Sequence, residues 1–337
     1  MFDDGVLGDP SRLADIEEHL RRVARWGAEV RRADVAAAEA LSALDALDRP
    51  RAVVAAGADG RLFRAVLEPV CPVPFVAWPH PGLPGWAGPL DLTVVLSTTG
   101  EGEDEVQVVA EAVRRGCDLL VATPVPSPLA EQAGSRSTTL VPAGTTDPLA
   151  LSVPVLCALH RLGLGPEVSA APVADALDEV ALRCGPSSGL EVNPAKELAL
   201  VLADAVPVVW GGSVLAARAA RRVAEELRAA SGRPALAGEE AQIVPMLRRA
   251  PEVDIFADPY ESEPTTRPAL VVLDDGAESA SLQAARERIL DAAEARGVRV
   301  HTVTATEGPD IGRFASLLAT GRFAAAYLAL GLGRTAG

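Results

Sequence analysis

Three hydroxyl side chains and a glycine stand in a row at Ser97, Thr98, Thr99 and Gly100. They close an apolar run from Leu92 to Leu96 and precede an acidic turn, which opens an amphipathic stretch to Arg115. Gly116 stops that stretch, and a second apolar run follows. The periodicity predicts strand, hydroxyl loop, helix, glycine stop and strand. A parallel-strand crossover of this kind puts free backbone N–H groups and side-chain donors at a helix N-terminus, where a phosphate or similar anion can be held. Two other turns have related grammar. Gly57 ends the apolar run AVVAA, and Gly211, Gly212 and Ser213 follow VPVVW and open a long amphipathic stretch stopped by Gly232.

Other residues that could do chemistry are few. Of 31 basic residues one is a lysine, Lys196. It could reach a sugar phosphate or carbonyl, or it could pin its helix by an ion pair to Glu191 or Asp204. There are four histidines, His19, His80, His160 and His301. His160 lies in an apolar helical pattern and His301 in a strand pattern, which favours structural roles. His80 follows the second strand signal, in the region where open α/β sheets bind ligands, outside the carboxyl ends of their strands. The four cysteines, Cys71, Cys117, Cys157 and Cys184, form no C-x-x-C pair. That spacing predicts neither a zinc site nor a disulfide framework, and no metal is expected.

The elements that must position these groups alternate. Residues 10–47 read as helical. Strand signals follow at Arg51–Gly57, Val73–Pro79, Leu92–Leu96, after Gly116, and at TTLVPAG, with helical stretches between them. From Pro148 to about Ala203 only helices are predicted, the last being NPAKELALVLAD with Asn193 as cap and Pro194 in the first turn. Alternation then resumes with VPVVWGG, ALVVLDD and VRVHTVTA, and an apolar helix closes the chain. The fold class is therefore α/β: two doubly wound parallel sheets, each a three-layer αβα sandwich, joined by a helical segment. The expected divisions are 1–48 (N-terminal helices), 49–165 (first α/β domain), 166–204 (linking helices) and 205–333 (second α/β domain).

Composition excludes several functions. A formal net charge of −15 over 337 residues opposes nucleic acid and anionic membranes, which call for a basic face. The start, MFDDGVLGDP, has neither the basic nor the apolar region of a signal peptide, and no run of about 20 uncharged apolar residues is present, so a cytoplasmic protein is expected. GADGRL after the first strand is not G-x-G-x-x-G, and no P-loop occurs, so no nucleotide cofactor is expected.

Strand, Ser/Thr/Gly loop and helix in two halves, with NPAKELA between them, resembles the SIS sugar-isomerase fold, and more narrowly the bifunctional phosphoglucose/phosphomannose isomerase family. STTGEGEDE stands at that family's phosphate loop, NPAKELA followed by VPVVWGG at the entry to its second SIS unit, and RFASLLATGRFAAAYLALGLG at its closing helix. The resemblance runs from about Arg51 to Leu332. It implies a homodimer that binds a phosphorylated hexose and interconverts glucose or mannose 6-phosphate with fructose 6-phosphate. The alternative it leaves open is an inactive SIS module that binds a phosphosugar and regulates or scaffolds another enzyme. By this resemblance the ligand contacts are Gly57, His80, Ser97, Thr98, Thr99, Gly100, Lys196, Gly211, Gly212 and Ser213.

The catalytic residues are not assigned. Aligning on Gly232–Pro234 puts Ala229 where the family has its glutamate. Glu225 and Glu226 fall one turn earlier, Glu239 and Glu240 after the next strand, and no histidine lies between His160 and His301. Gly102 replaces the family's threonine in the phosphate loop. Glu101 and Asp59 add negative charge near the supposed anion, and Glu103 and Asp104 suit a helix start without any ligand.

Overall fold

The computed structural model describes residues 2–44, 48–57, 60–251 and 267–334; Asp59 lies outside them. Two compact units divide the chain. The first unit is Trp26–Ala174, and the second joins Met1–Arg25 to Asp175–Gly337.

The predicted N-terminal helix is broken into α1 (Pro10–Leu13), α2 (Glu17–Ala24) and α3 (Trp26–Ser42). The break at Arg25 separates pieces that serve different cores. In the second unit α2 packs on the closing helix, and in the first unit α3 packs on α7 (Pro148–Arg161) and the last strand of its sheet. The two-unit division thus falls within residues 1–48, between Arg25 and Trp26, the stripe of α2 being buried in one unit and that of α3 in the other.

In the first unit, β1 (Ala52–Ala56), α4 (Arg61–Leu67), β2 (Phe75–Trp78), β3 (Asp91–Leu96), α5 (Glu103–Arg115), β4 (Asp118–Thr123), α6 (Pro128–Gln132) and β5 (Thr138–Pro142) precede α7. The sheet is parallel throughout, in the order β2-β1-β3-β4-β5. β1 and β3 are buried at every residue, as expected of central strands covered on both faces. Val108, Val109 and Ala112 of α5 pack on Val54, Val95, Leu119 and Val121 on one face. On the other, α7 lies against β3 and β4.

The second unit contains α9 (Pro194–Val201), β6 (Ala205–Gly211), α10 (Val214–Ser231), β7 (Leu236–Ala237), α11 (Glu240–Arg248), β8 (Arg267–Asp274), α12 (Ala280–Glu294), β9 (Arg299–Thr304) and α13 (Asp310–Gly331). Helix α8 (Ala170–Cys184) spans the boundary in sequence. The sheet is again parallel, ordered β7-β6-β8-β9. α11 and α12 cover one face through Ile243, Leu247 and Ile289, and α10 lies on the other side with α13 packed against it. By length and composition α13 could cross a bilayer, but 83% of its apolar window is buried inside the protein, which makes it a core helix. The sequence did not predict α11, whose start carries Glu239 and Glu240.

At the N-terminal ends of β1 and β3, fully buried Asp91 receives Arg51 Nε at 3.0 Å and Nη2 at 2.6 Å, and Gly88 N at 2.9 Å. Arg51 also lies 5.9 Å from the Trp86 ring centre. This fork fixes the loop before β3 to the strand it must join. Asp91→Ala strands these donors, and we expect a loss of about 2 kcal/mol in stability, read as a lower urea midpoint with unchanged slope.

Candidate functional site

The two sheets place their glycine and hydroxyl turns at the carboxyl ends of β1, β3 and β6, where polar groups can face outward without breaking a strand ladder. In the first unit, β3 delivers Ser97 to a turn in which its Oγ accepts Gly100 N at 3.0 Å. Gly100 has φ +69°, and a Cβ there would lie 2.5 Å from Ser127 Oγ and 2.6 Å from Thr123 Oγ1. Only glycine fits, and the turn leans on the β4–α6 loop, where Leu129 N donates to Gly100 O at 3.0 Å. Thr98 is half-buried and Thr99 exposed, with Thr99 Oγ1 accepting Glu101 N at 3.4 Å.

Gly102 caps α5 without a side chain to offer, so among the described residues no capping side chain hydrogen-bonds the helix's first N–H groups. Glu103 and Asp104 stand in the first turn, where their charges suit the helix dipole. Glu105 folds back instead: a Cβ on Gly102 would collide with its Oε2, and one on Gly57 would meet its Cγ at 3.7 Å. Its carboxylate therefore lies between the tip of β1 and the start of α5, on the approach an anion would use. His80 is exposed, and its ring stands edge-on to Trp78 at 5.0 Å.

The second unit treats the same grammar differently. A Cβ on Gly211 would collide with the backbone of Ala216, so α10 can begin only over a glycine. Ser213 caps α10 by accepting Ala216 N at 3.0 Å, and its hydroxyl donates to Asp275 Oδ2. Ser213 therefore has its hydrogen-bonding capacity used by the protein itself. Beside it, the tips of β8 and β9 run together, with Ala305 N donating to Asp274 O at 2.9 Å. Burial pushes the Asp274 carboxyl up, but Gly276 N–H and the Arg286 guanidinium outweigh it and lower its pKa from 3.8. Ser316 Oγ ties the turn into α13, accepting Thr306 N at 3.1 Å and donating to Arg313 O at 2.7 Å. Two buried atoms here have no hydrogen-bond partner among the described residues: Thr306 Oγ1, on a residue 3% exposed, and Arg313 Nε. Arg313 Nη1 lies 3.4 Å from the Cβ position of Gly276, and Nη2 donates to Asp310 at 2.5 Å. Among the described residues no side chain caps α13. Thr306, Arg313 and Asp275 escaped the sequence reading. The signals were present: Asp-Asp-Gly closing an apolar strand, and Gly308–Pro309 before a long helix.

Lys196 corrects the expectation of an ion pair to Glu191 or Asp204. Asp204 is paired with Arg299. The Lys196 ammonium donates to Pro186 O at 3.1 Å and Ser188 O at 3.0 Å, and lies 5.5 Å from the Tyr327 ring centre. Only 2% of the residue is exposed, and burial lowers its pKa from 10.5. Asn193 caps α9 as predicted and donates to Gly185 O, while Tyr327 OH donates to Cys184 O. Together these three residues hold the turn from Cys184 to Ser188. Burial also pushes the thiols of Cys157 and Cys184 up to about 11, which keeps them protonated and inert.

The carboxylates near the expected base position are engaged. Ala229 is exposed on the last turn of α10. Glu225 faces Arg222 at 3.3 Å, Glu226 faces Arg322 at 2.8 Å, and Glu239 caps α11 with Arg221 at 3.9 Å. Glu240 receives Arg288 at 2.5 Å, and the Arg288 hydrogen bond holds its pKa below 4.5. His160 is exposed near Gly165 O. The side chain of His301 is 10% exposed, its Nδ1 is 3.7 Å from Glu197, and its buried Nε2 has no partner among the described residues.

Residues 191–336 match the family model described as the bacterial phospho-glucose isomerase C-terminal SIS domain. No curated protein matches the sequence. Among solved structures, the chain is similar to tagatose-6-phosphate ketose/aldose isomerase from Escherichia coli, with TM-score 0.64, 17% identity, and 95% of this chain and 94% of that one covered. It is also similar to a glucose-6-phosphate isomerase like protein from Thermus thermophilus, with TM-score 0.53, 19% identity, and 96% and 94% covered. The C-terminal domain of glucosamine-fructose-6-phosphate aminotransferase from Francisella tularensis gives TM-score 0.60, 13% identity, and 94% and 96% covered. These likenesses show the SIS fold in both units.

Two outcomes are expected. Lys196→Met keeps the packed stem but frees the 184–188 turn, lowering the melting temperature; an unchanged melting temperature would show that the ammonium does not hold that turn. Burial lowers the His301 pKa from 6.5, with Glu197 opposing. The unfolded chain then takes up the proton first, so this contribution to stability is lost as pH falls from 6.5 toward the lower folded value. His301→Gln should flatten that part of a urea-midpoint profile.

Proposed function

We propose that this chain, which carries the SIS fold and in residues 191–336 resembles the C-terminal SIS domain of bacterial phosphoglucose isomerases, binds a hexose 6-phosphate. One observation carries the reading. In the second unit, Thr306 Oγ1 and Arg313 Nε are buried donors with no acceptor among the described residues, set at the uncapped start of α13. A buried donor left unpaired costs about 1–3 kcal/mol, and an oxyanion of a bound ligand removes that cost. Arg313 adds the positive charge that a protein of net charge −15 must supply locally to hold an anion. In the first unit, the hydroxyls of Thr98 and Thr99 and the turn at Gly100 offer a second seat, which Glu105 makes less hospitable to a dianion.

A non-catalytic module that binds the sugar and regulates or scaffolds a neighbouring enzyme is the second reading. The arginine pairing of Glu225, Glu226, Glu239 and Glu240 favours it, since an ion-paired carboxylate is a poorer base. In either reading the protein acts as a homodimer, which sedimentation in solution checks.

The test is a thermal-shift panel with fructose, glucose and mannose 6-phosphate. At a hundredfold excess over Kd, a ligand adds about 2.7 kcal/mol, a rise of several degrees. Thr306→Val and Arg313→Gln should each weaken binding by about tenfold, the worth of one charge-assisted hydrogen bond. A panel silent at millimolar sugar phosphate, or binding unchanged in both variants, would overturn the reading.

A further inference from the structure

We propose that the groove between α11 and the sheet of the second unit binds a small carboxylic acid with an apolar body, its carboxylate held by Arg249. The groove lies toward the N-terminal ends of β6 and β8, away from the hydroxyl turns, and does not depend on a sugar phosphate binding there.

The groove follows from how the sheet is built. β7 pairs only with Val208 and Val209, so the N-terminal half of β6 has a single neighbour, β8. Over that half the floor is Val206, Val208 and Pro268, and the wall is Gln242, Pro245, Met246 and Arg249. Those four wall residues stand at i, i+3, i+4 and i+7, so they share one stripe of α11. The adjoining stripe, Ile243 and Leu247, packs into the core cluster with Val208 and Leu270 and holds the helix in place. Pro245 and Pro268 have no backbone N–H, which leaves the middle of the groove apolar. The enclosed space is about 530 Å³, a size that takes a small organic molecule.

Charge selects the ligand's head. The start of α11 carries Glu239 and Glu240, which are matched by Arg221 and Arg288. Arg249, at the other end of the helix, has no hydrogen bond or ion pair among the described residues. Acidic groups outnumber basic ones in this chain by 46 to 31, yet none of the described ones is matched to this arginine. A guanidinium at the end of an apolar groove is complementary to a carboxylate, which it meets with two parallel hydrogen bonds. From Gln242 to Arg249 the helix rises about 10 Å. That length suits a phenyl ring or a branched chain ending in a carboxylate.

The chain's methionines supply the readout. There are two, Met1 and Met246, so isotope labelling of methionine methyl groups puts one of two NMR signals on the groove wall. The Met246 signal is the one absent from Met246→Leu. Full-length labelled protein is titrated with hydrocinnamate, and with its primary amide as the uncharged counterpart. Hydrocinnamate is expected to shift the Met246 signal saturably, with a Kd about tenfold lower than that of the amide, the worth of one charge-assisted hydrogen bond. In Arg249→Gln that advantage is expected to vanish while the amide binds as before. Arg249 is exposed, so its replacement leaves the fold intact. A Met246 signal that neither compound shifts overturns the proposal. Equal affinity for acid and amide in the native protein overturns it too, as does a preference for the acid that survives in Arg249→Gln.

Discussion

Strands buried on both faces have almost no room for polar side chains, and this constraint governs where the molecule can do chemistry. β1 and β3 in the first unit, and β6 and β8 in the second, are nearly continuous in burial, with helices on either side. Parallel pairing then sends all the carboxyl ends of a sheet to the same edge. Backbone donors, glycine turns and helix starts accumulate there, because every crossover must leave the sheet at that edge. Ser97, Ser213, Asp275 and Thr306 lie at that edge, whereas buried Asp91 at the opposite edge needs the Arg51 fork.

Within that rule the two units diverge. Their turns share a strand, a glycine and a hydroxyl, followed by a helix. In the second unit the hydroxyl of Ser213 is drawn into a local network, capping α10 and bonding Asp275. In the first, Gly102 leaves α5 without a side-chain cap, and a glutamate from the first turn swings across the opening. The difference arises from one residue in each case, a glycine in place of a hydroxyl at the cap and a carboxylate at the neighbouring strand tip. Similar turns therefore present different donors and charges at their edges.

The charged residues show how a protein rich in arginine keeps its acidic groups in order. Carboxylates along α10 and α11 are matched to guanidinium groups, as at Glu226 with Arg322 and Glu240 with Arg288. The solitary lysine is treated differently. Its ammonium, a compact point charge with three donors, sits among two carbonyl oxygens and an aromatic face, whereas a guanidinium presents a planar fork. That difference in shape is a physical reason for lysine at a position where the rest of the chain uses arginine.

Much of the architecture was legible in the residues alone. Apolar runs ended by glycine placed the strands. Asn193–Pro194, Ser213 and Gly232 placed helix ends, because caps and stops are local chemistry that short stretches of sequence contain in full. Three features were not legible. The 10–47 helix divides at Arg25 because its two stripes find different cores, a choice made by distant residues. Lys196 meets backbone carbonyls, which sequence does not distinguish from one residue to the next. Asp275, Thr306 and Arg313 come from separate stretches of the chain and meet only when β8, β9 and α13 pack. Local periodicity and capping are set by neighbours in the chain. The company a polar group keeps is set by which strand tips the fold brings side by side.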